Sequence, residues 1–322
     1  MRVLVTGGAG FIGSHVSERL VARGHDVVIV DSFDSFYDPA IKRRNIAQLL
    51  ESGRATLIEQ DICDATALND ALGSTSIDAI IHLAARAGVR PSLERPLDYV
   101  RTNVEGTQSM LELARARAIR PFVFGSSSSV YGDSTPVPFT ETAPADTPIS
   151  PYAATKRAAE LLCHSHAHLF GLSVICLRLF TVYGPRQRPD LAIHKFVKLM
   201  ASGEEIPFFG DGSTERDYTY VDDIVDGVGR ALDWAVAAPA AAFEIVNLGE
   251  RQTTSLAALV ELISDALDLK PRLRRLPGQP GDVQRTCADV SRARKLIGYE
   301  PRTSMEDGIR RFVEWFRAQP AD

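Results

Sequence analysis

Seven short runs of mostly apolar residues recur along the chain, and turn-forming residues follow each of them. Apolar residues at nearly every position are typical of strands buried on both faces, as in parallel sheets. Helical patterns lie between the runs, for example at 11–23, where Ile12, Val16 and Leu20 mark one apolar side. This alternation predicts an α/β fold built on a doubly wound parallel sheet. The runs span residues 2–7, 26–31, 55–61, 79–85, 121–127, 174–180 and 243–249.

Outside these runs the pattern is weaker. Residues 133–151 contain five prolines and predict a loop over the carboxyl-terminal edge of the sheet. The alanine-rich segment 235–243 is typical of a connector. Helical periodicity returns at 255–267 and 304–317, and the second of these helices carries a stripe of large apolar residues that predicts core burial rather than membrane contact.

The turn after the first run carries three glycines at intervals of three, Gly7, Gly10 and Gly13. Glycine is needed where the backbone turns tightly, approaches a pyrophosphate and packs a helix against a sheet. Asp31 ends the second run 18 residues later, where a carboxylate accepts hydrogen bonds from ribose hydroxyls and repels a 2′-phosphate. No basic residue directly follows it, so the pattern favours NAD over NADP. The alternative is a glycine turn that binds no ligand.

A second group of candidate residues follows the fifth run. Tyr152 and Lys156 lie four residues apart at the start of a predicted helix, which puts both side chains on one face. A tyrosine has a pKa of about 10, and a lysine charge together with the positive nicotinamide ring would favour the phenolate. Serines 126–129 end the preceding strand, where ligands meet such sheets. The alternatives are a solvated helix face and a polar turn.

The composition limits the kinds of partner that we expect this protein to bind. The chain has 322 residues, is 45% hydrophobic and carries a net charge of −5, which gives no basic footprint for nucleic acid or an anionic membrane. Its four cysteines show no metal-like or redox spacing, and His164 and His168 have no acidic partner nearby to complete a metal site. We therefore expect no metal. No secretion signal or membrane-spanning run is recognisable, so the expected location is the cytoplasm.

Together the glycine triplet, the serine run and the tyrosine–lysine pair resemble the extended short-chain dehydrogenase/reductase superfamily, specifically its nucleotide-sugar branch. The likeness covers nearly the whole chain. It implies a Rossmann-type NAD-binding domain at 1–179 plus about 217–248, and a smaller mixed α/β nucleotide-sugar-binding domain at about 180–216 plus 249–322. It also implies a homodimer formed through helices near 103–118 and 152–170. Further matching motifs are EQDICD, HLAA, TNVEGT, VYGPR, FFGDGSTERDYTYVDD and PGDV.

The resemblance also assigns roles to individual positions. Tyr152, Lys156 and Ser127 would be catalytic. One departure concerns Gln279, which stands where some UDP-hexose epimerases carry a phosphate-binding arginine. The cofactor would contact Gly7, Gly10, Phe11, Ile12, Gly13, Asp31, Asp61, Ile62, Ala84, Ala85, Asn103, Ser126, Tyr152 and Lys156. The substrate would contact Arg90, Ser127, Ser128, Thr181, Arg188, Phe209, Arg216 and Asp282.

Enzymes of this branch first oxidise C4 of the sugar to a ketone, and several outcomes then compete. Related dehydratases and decarboxylases carry an acidic residue before their VYG motif, where this chain has Ser128 and Ser129. Hydroxyls do not supply that proton transfer at neutral pH without help, so epimerisation at C4 is favoured. The alternatives that stay open are a UDP-glucose/UDP-galactose 4-epimerase, a UDP-glucuronate decarboxylase and a non-catalytic NAD-binding regulator.

The segment FTVYGPRQRPD, at 180–190, bears on the substrate. Arg186 belongs to a motif shared with epimerases of neutral sugars, whereas the continuation to Asp190 resembles UDP-glucuronate 4-epimerases. That resemblance implies that Thr181 and Arg188 receive the C5 carboxylate of UDP-glucuronic acid, which would become UDP-galacturonic acid. The alternative is that Arg188 pairs with Asp190 or contacts a phosphate.

Overall fold

The computed structural model describes residues 1–277 and 283–319. Its centre is a seven-stranded sheet in which every neighbouring pair is parallel, with the order β11-β6-β5-β4-β1-β2-β3. All seven predicted strands are present in this sheet. Their bounds are β1 Arg2–Thr6, β2 Asp26–Asp31, β3 Ala55–Glu59, β4 Ala79–His82, β5 Pro121–Ser127, β6 Ser173–Leu179 and β11 Phe243–Leu248.

Helices cover both faces of the sheet, which confirms the doubly wound α/β fold. A π-helical turn at Val100–Glu105 and a 3₁₀ turn at Ser128–Tyr131 interrupt the regular pattern. The α-helices are α1 Phe11–Ala22, α2 Pro39–Glu51, α3 Ala65–Leu72, α4 Val89–Glu94, α5 Pro96–Tyr99, α6 Gly106–Ala116, α7 Pro151–Phe170, α8 Ala192–Ala201, α9 Val221–Ala237, α10 Leu256–Leu267, α11 Ser291–Ile297 and α12 Met305–Arg317.

Two apolar cores lie on opposite sides of the sheet. Val3 and Val5 of β1 face the core that packs under α1 and α9, whereas Leu4 between them faces the core under α3, α6 and α7. All three side chains are fully buried. Because successive side chains of a strand point to opposite faces, burial on both sides requires an apolar residue at every position, and this is the pattern seen in the sequence.

Shorter strand pairs form outside the large sheet, near the carboxyl ends of its strands. They contain two to five residues each, and the helices α8, α10 and α12 pack around them. The two-domain division remains a prediction. The pairs are β7 Thr181–Tyr183 with β10 Tyr218–Tyr220, β8 Glu205–Phe209 with β13 Arg272–Leu276, and β9 Glu215–Arg216 with β12 Thr254–Ser255.

The helical patterns at 11–23, 255–267 and 304–317 are confirmed to within one residue by α1, α10 and α12. In α12, Ile309, Phe312 and Val313 are buried as the periodicity predicts. The connector at 235–243 was placed too early, because α9 continues through Ala237. In the described ranges no helix combines the length and the apolar character needed to cross a bilayer.

Candidate active site

A cavity of about 520 Å³ opens at the carboxyl ends of β1, β2, β4, β5 and β6. Strand ends of a doubly wound sheet meet at one edge, so residues from distant segments come together there. Seventeen of the residues to which the sequence resemblance gives a catalytic, cofactor or substrate role line this cavity. They are Gly7, Gly10, Phe11, Ile12, Gly13, Asp31, Asp61, Ile62, Ala84, Ala85, Ser126, Ser127, Ser128, Tyr152, Lys156, Thr181 and Arg188.

The glycine turn between β1 and α1 is too tight for side chains. Gly7 has a φ of +67°, a conformation that favours glycine. A Cβ atom on Gly13 would lie 2.1 Å from the carbonyl oxygen of Gly7, so no other residue fits there. The first turn of α1 consequently packs directly against the loop, and Phe11, Ile12 and Gly13 of this turn line the cavity.

Asp31 is held in place by the backbone around the glycine turn. Its Oδ2 accepts a hydrogen bond from the N–H of Ala9 at 3.2 Å, and its Oδ1 accepts one from Phe33 at 2.9 Å. Lys42 of α2 returns to within 3.8 Å of Asp31 and donates to the carbonyl oxygen of Asp34 at 3.0 Å. Lys42 comes from the following helix and not from the positions directly after Asp31, so the sequence pattern did not reveal it.

Tyr152 and Ser127 line the cavity, and their part of it is here called the reactive end because the sequence predicts both residues to be catalytic. Burial raises the pKa of the Tyr152 phenol, while a hydrogen bond with the Ser127 side chain and the charge of Arg188 act in the opposite direction. Ser127 is itself oriented, since its Oγ lies 3.2 Å from both the Oγ and the N–H of Ser129. The hydroxyl and the guanidinium offset part of this rise, but burial is the largest effect and leaves the pKa of Tyr152 raised.

Lys156 has different partners from those expected. Its Nζ donates to the carbonyl oxygen of Gly125 at 2.7 Å and lies 5.0 Å from the centre of the Phe124 ring. Burial lowers the pKa of Lys156 to about 8. In this structure Ser127 and Arg188 are the groups that lower the pKa of Tyr152, and the effect of Lys156 beside a nicotinamide ring stays a prediction.

Ser126 belongs to a buried network behind the cavity. Its Oγ donates to Glu160 Oε1 at 2.6 Å, and Arg178 donates to both oxygens of Glu160 at 2.9 Å. Glu160 and Arg178 are at most 1% exposed. Sequence reasoning missed Glu160, although its spacing from Tyr152 and Lys156 carried a signal: steps of four residues put all three on one face of α7. The network fixes this helix to β5 and β6.

The two arginines of the segment 180–190 separate in the structure. Arg188 lines the cavity, stacks 5.0 Å from the centre of the Phe36 ring, and donates to Asp190 at 3.0 and 2.7 Å. Arg186 points away and pairs with Glu18 of α1. The alternative of an Arg188–Asp190 pair is thus present, in a position that also faces the cavity.

Four assigned residues are not among the described residues that line the cavity. Asn103 lies behind it, where its side chain bonds the backbone of Arg86 at 2.8 and 3.0 Å and Thr155 of α7 at 3.0 Å. Arg90 stacks over the Phe209 ring, with 5.7 Å to the centre. Arg216, the fourth, lies on β9. Asp282 and Gln279 lie outside the described residues.

The loop between β2 and α2 supplies cavity residues that the sequence did not reveal, among them Phe36 and Tyr37. Arg86, after β4, also lines the cavity, and its Nη2 lies 2.7 Å from Asp34 of the same loop. A loop sequence carries no periodicity, so its fold over the cavity was not predictable. In the described parts of the chain no group of three or more histidines, cysteines or carboxylates could hold a metal ion.

A family model described as the NAD dependent epimerase/dehydratase family matches residues 3–249. The chain belongs to this family. Among similar proteins, a UDP-glucuronate 4-epimerase of Thermodesulfobacterium geofontis (strain OPF15) is 42% identical over 313 residues, covering 97% of this chain and 95% of that protein. The family membership is thus supported over nearly the full length.

Solved structures of the family share the fold. The crystal structure of UDP-glucuronic acid 4-epimerase from Bacillus cereus, in complex with UDP-glucuronic acid and NAD, is 35% identical with a TM-score of 0.91 and covers 98% of this chain and 99% of that chain. A UDP-glucose 4-epimerase from Thermotoga maritima with UDP-glucose is 33% identical with a TM-score of 0.88, at 98% and 99% coverage. Both an acidic and a neutral sugar therefore occur among the ligands of similar proteins.

Proposed function

We propose that this chain catalyses NAD-dependent epimerisation at C4 of UDP-glucuronic acid to UDP-galacturonic acid, through a transient 4-keto sugar. One observation carries the choice of a sugar acid: Arg188 and Thr181 line the same cavity as Tyr152, Lys156 and Ser127. A guanidinium facing the reactive end gives a substrate carboxylate a charged partner. The similarity to UDP-glucuronate 4-epimerases supports the same substrate.

NAD is assigned to the glycine turn, the start of α1 and Asp31. The missing side chain at Gly13 and the free N–H groups of α1 suit a pyrophosphate. The backbone contacts of Asp31 hold its carboxylate toward the cavity, where it suits ribose hydroxyls. When bound, NAD accepts a hydride from C4 and returns it to the opposite face, so the cycle has no net redox change.

Tyr152 is assigned as the base that removes the C4 hydroxyl proton and later returns it. The Ser127 hydroxyl bonds the phenol and stabilises its anionic form. Lys156 donates one of its three N–H groups to the carbonyl oxygen of Gly125, and the other two can donate to ribose hydroxyls. Base, orienting hydroxyl and ribose donor then come from β5 and α7, which Glu160 joins together.

The 4-keto form of a uronic acid is a β-keto acid, which loses carbon dioxide when the carboxylate bond aligns with the ketone. Arg188 and Thr181 hold the carboxylate and keep it out of this alignment. Ser128 and Ser129 also line the cavity, and neither hydroxyl is acidic enough to drive an elimination. These positions support epimerisation over dehydration or decarboxylation.

A neutral-sugar 4-epimerase is the second candidate, and one observation favours it. Two nitrogens of Arg188 are already bound to Asp190, which partly neutralises the guanidinium. A carboxylate must therefore share Arg188 with Asp190 or displace it. UDP-glucose would require neither.

The deciding experiment is incubation of the purified protein with UDP-glucuronic acid, followed by chromatographic separation of uronate epimers and pentose products. We expect UDP-galacturonic acid, no UDP-pentose, and NAD that co-purifies with the protein. Arg188→Gln should lower kcat/KM for the uronate by about 10- to 100-fold, the value of a charge-assisted hydrogen bond, and affect UDP-glucose much less. Equal losses for both sugars would contradict the assignment of the carboxylate site.

A homodimer in the cytoplasm is the proposed working form. Leu93, Leu97, Val100 and Leu161 lie on the neighbouring α4, α5, π-helical turn and α7, and they are 48–80% exposed. A second copy of this chain would cover them. The four free cysteines suit a reducing compartment. Light scattering should give twice the chain mass for wild type and the single mass for a Leu97→Glu/Leu161→Glu variant; a monomeric wild type would refute the dimer.

A further inference from the structure

The segment 184–190, here called the sugar loop, is fastened to the helix that begins at the cofactor site. Arg186 places its Nη2 2.7 Å from Glu18 Oε1 and its Nη1 3.3 Å from Ser14 Oγ, and both partners lie on α1. The Arg186 side chain is 23% exposed, so this pair is partly shielded from water. Such a pair is worth more than a fully exposed one.

A second contact runs beside the first. His15 Nε2 lies 2.9 Å from the carbonyl oxygen of Pro185, and this geometry requires the nitrogen to carry the proton and donate it. Burial lowers the pKa of His15, and the nearby charge of Arg186 adds to that effect. The ring is therefore neutral at pH 7 and serves as a fixed hydrogen-bond donor.

Both contacts lead to the first turn of α1. Ser14 Oγ accepts from Arg186 and donates to the carbonyl oxygen of Phe11 at 3.1 Å. The His15 ring packs edge-on against the Phe11 ring at 6.0 Å. Phe11 lines the cavity beside the glycine turn. Two short chains of contacts thus connect the sugar loop with the residue that opens the cofactor-binding helix.

The same loop has little freedom between its two arginines. Gln187 is buried, donates to the carbonyl oxygen of Val182 at 3.1 Å and accepts from the N–H of His194 at 3.3 Å. Arg186 has a φ of +65°, a strained conformation for a non-glycine residue that persists only where surrounding contacts hold it. Release of Arg186 would relax that backbone, and Arg188 follows two residues later.

We propose that Arg186 and Glu18 are a positioning pair that holds Arg188 at the sugar end of the cavity and couples it to the cofactor-binding helix. The pair touches neither substrate nor cofactor. It determines where the substrate carboxylate finds its guanidinium, so the binding of NAD and of the sugar acid reinforce each other. This inference rests on the proposed function and adds a specificity determinant to it.

The test uses Arg186→Gln and Glu18→Gln, each in a Tyr152→Phe background that prevents turnover. Arg23→Gln is the matched control. Arg23 stands directly after α1, far from the sugar loop, and like Arg186 it pairs with a carboxylate: its Nη2 lies 2.8 Å from both oxygens of Asp233. Calorimetry on the NAD-loaded proteins gives Kd for UDP-glucuronic acid and for UDP-glucose. A second measurement gives the rate of NAD release with and without UDP-glucuronic acid.

We expect Arg186→Gln and Glu18→Gln, here called the loop variants, each to lower the preference for UDP-glucuronic acid over UDP-glucose, measured as the ratio of their Kd values, about tenfold. This loss corresponds to one charge-assisted contact, while Kd for UDP-glucose should change less than about twofold. The uronate should also slow NAD release less than in wild type. Arg186→Lys, which keeps the charge, should restore part of the preference, and Arg23→Gln should match wild type.

Equal weakening of both sugars in the loop variants would indicate a merely structural role and overturn the inference, as would unchanged binding. If wild type itself neither binds nor epimerises UDP-glucuronic acid, the proposed function fails first and the positioning role fails with it. Glu18→Gln keeps the test decisive should Arg186→Gln not fold, since Glu18 lies at the helix surface with 36% of its side chain exposed.

Discussion

At the scale of single residues, the acid–base chemistry of the cavity depends on what surrounds one phenol. Desolvation works against the anionic form of Tyr152, and the Ser127 hydroxyl and the Arg188 guanidinium work for it. Lys156 is turned toward the carbonyl oxygen of Gly125, to which its Nζ donates. The residue types were predictable from the sequence, but the direction of each side chain was not, because spacing along a helix fixes a face and not a partner.

This arrangement predicts a pH effect for Ser127→Ala. Activity in the acid limb of the profile requires the ionised phenol, and loss of the hydroxyl removes a contribution that lowers the pKa of Tyr152. The acid limb of kcat against pH should therefore move to higher pH, with kcat at pH 7 about 100-fold lower. Ser127→Thr, which keeps the hydroxyl, should leave the limb in place; a limb unmoved in Ser127→Ala would contradict the role.

At the scale of elements, the strands and helices that are most buried were the easiest to predict from the sequence. The strands of the large sheet are buried on both faces, so their apolar runs stood out and all seven were recognised. The strand pairs of two or three residues, such as β9 with β12, are too short for any periodicity to develop. The succession of α4, α5 and a π-helical turn at 89–105 was missed for the same reason.

The pairing of elements around the cavity was equally invisible in the sequence. Ser14 and Arg186 are 172 positions apart, and Asn103 reaches across 52 positions to Thr155. A carboxylate aligned with Tyr152 and Lys156 on α7 was detectable in principle, but only the fold reveals that Arg178 of β6 is its partner. Sequence patterns predicted residues that line the cavity, whereas contacts between distant segments came from the topology.

At the scale of the whole molecule, a group of buried carboxylates joins the large sheet to the C-terminal segments. Asp217 accepts the N–H groups of Glu250 at 2.7 Å and of Ala288 at 2.9 Å. Asp223 accepts those of Arg302 and Thr303 at 3.1 and 3.0 Å. These hydrogen bonds stabilise the negative charges of Asp217 and Asp223. Glu250 lies near both carboxylates. Its burial and the negative charges of Asp223 and Asp217 raise its pKa to about 7.

Stability should consequently depend on pH through Glu250. Its folded-state pKa lies above the ordinary value of 4.5, so the folded protein holds a proton that the unfolded chain has released, and stability falls as pH rises from about 4.5 to about 7. Glu250→Gln removes this loss and should stabilise the protein by about 2–3 kcal/mol at pH 8 but hardly at pH 4.5. Urea unfolding at both pH values measures the difference.

Glu261→Gln, on the exposed side of α10, is the control for that experiment and should change stability little at either pH. A Glu250→Gln protein no more stable than wild type at pH 8 would show that the carboxylate is relieved by other means.

The left-handed backbone at Arg186 has an evolutionary consequence. It reverses the chain so that two guanidiniums separated by one residue serve opposite sides of the loop, one α1 and the other the cavity. A single-residue insertion or deletion between the two arginines would change which of them faces the cavity and which faces α1, although both residues would still be arginine. In a homologue whose loop differs in length, an arginine that merely aligns with Arg188 is therefore no evidence for an acidic sugar.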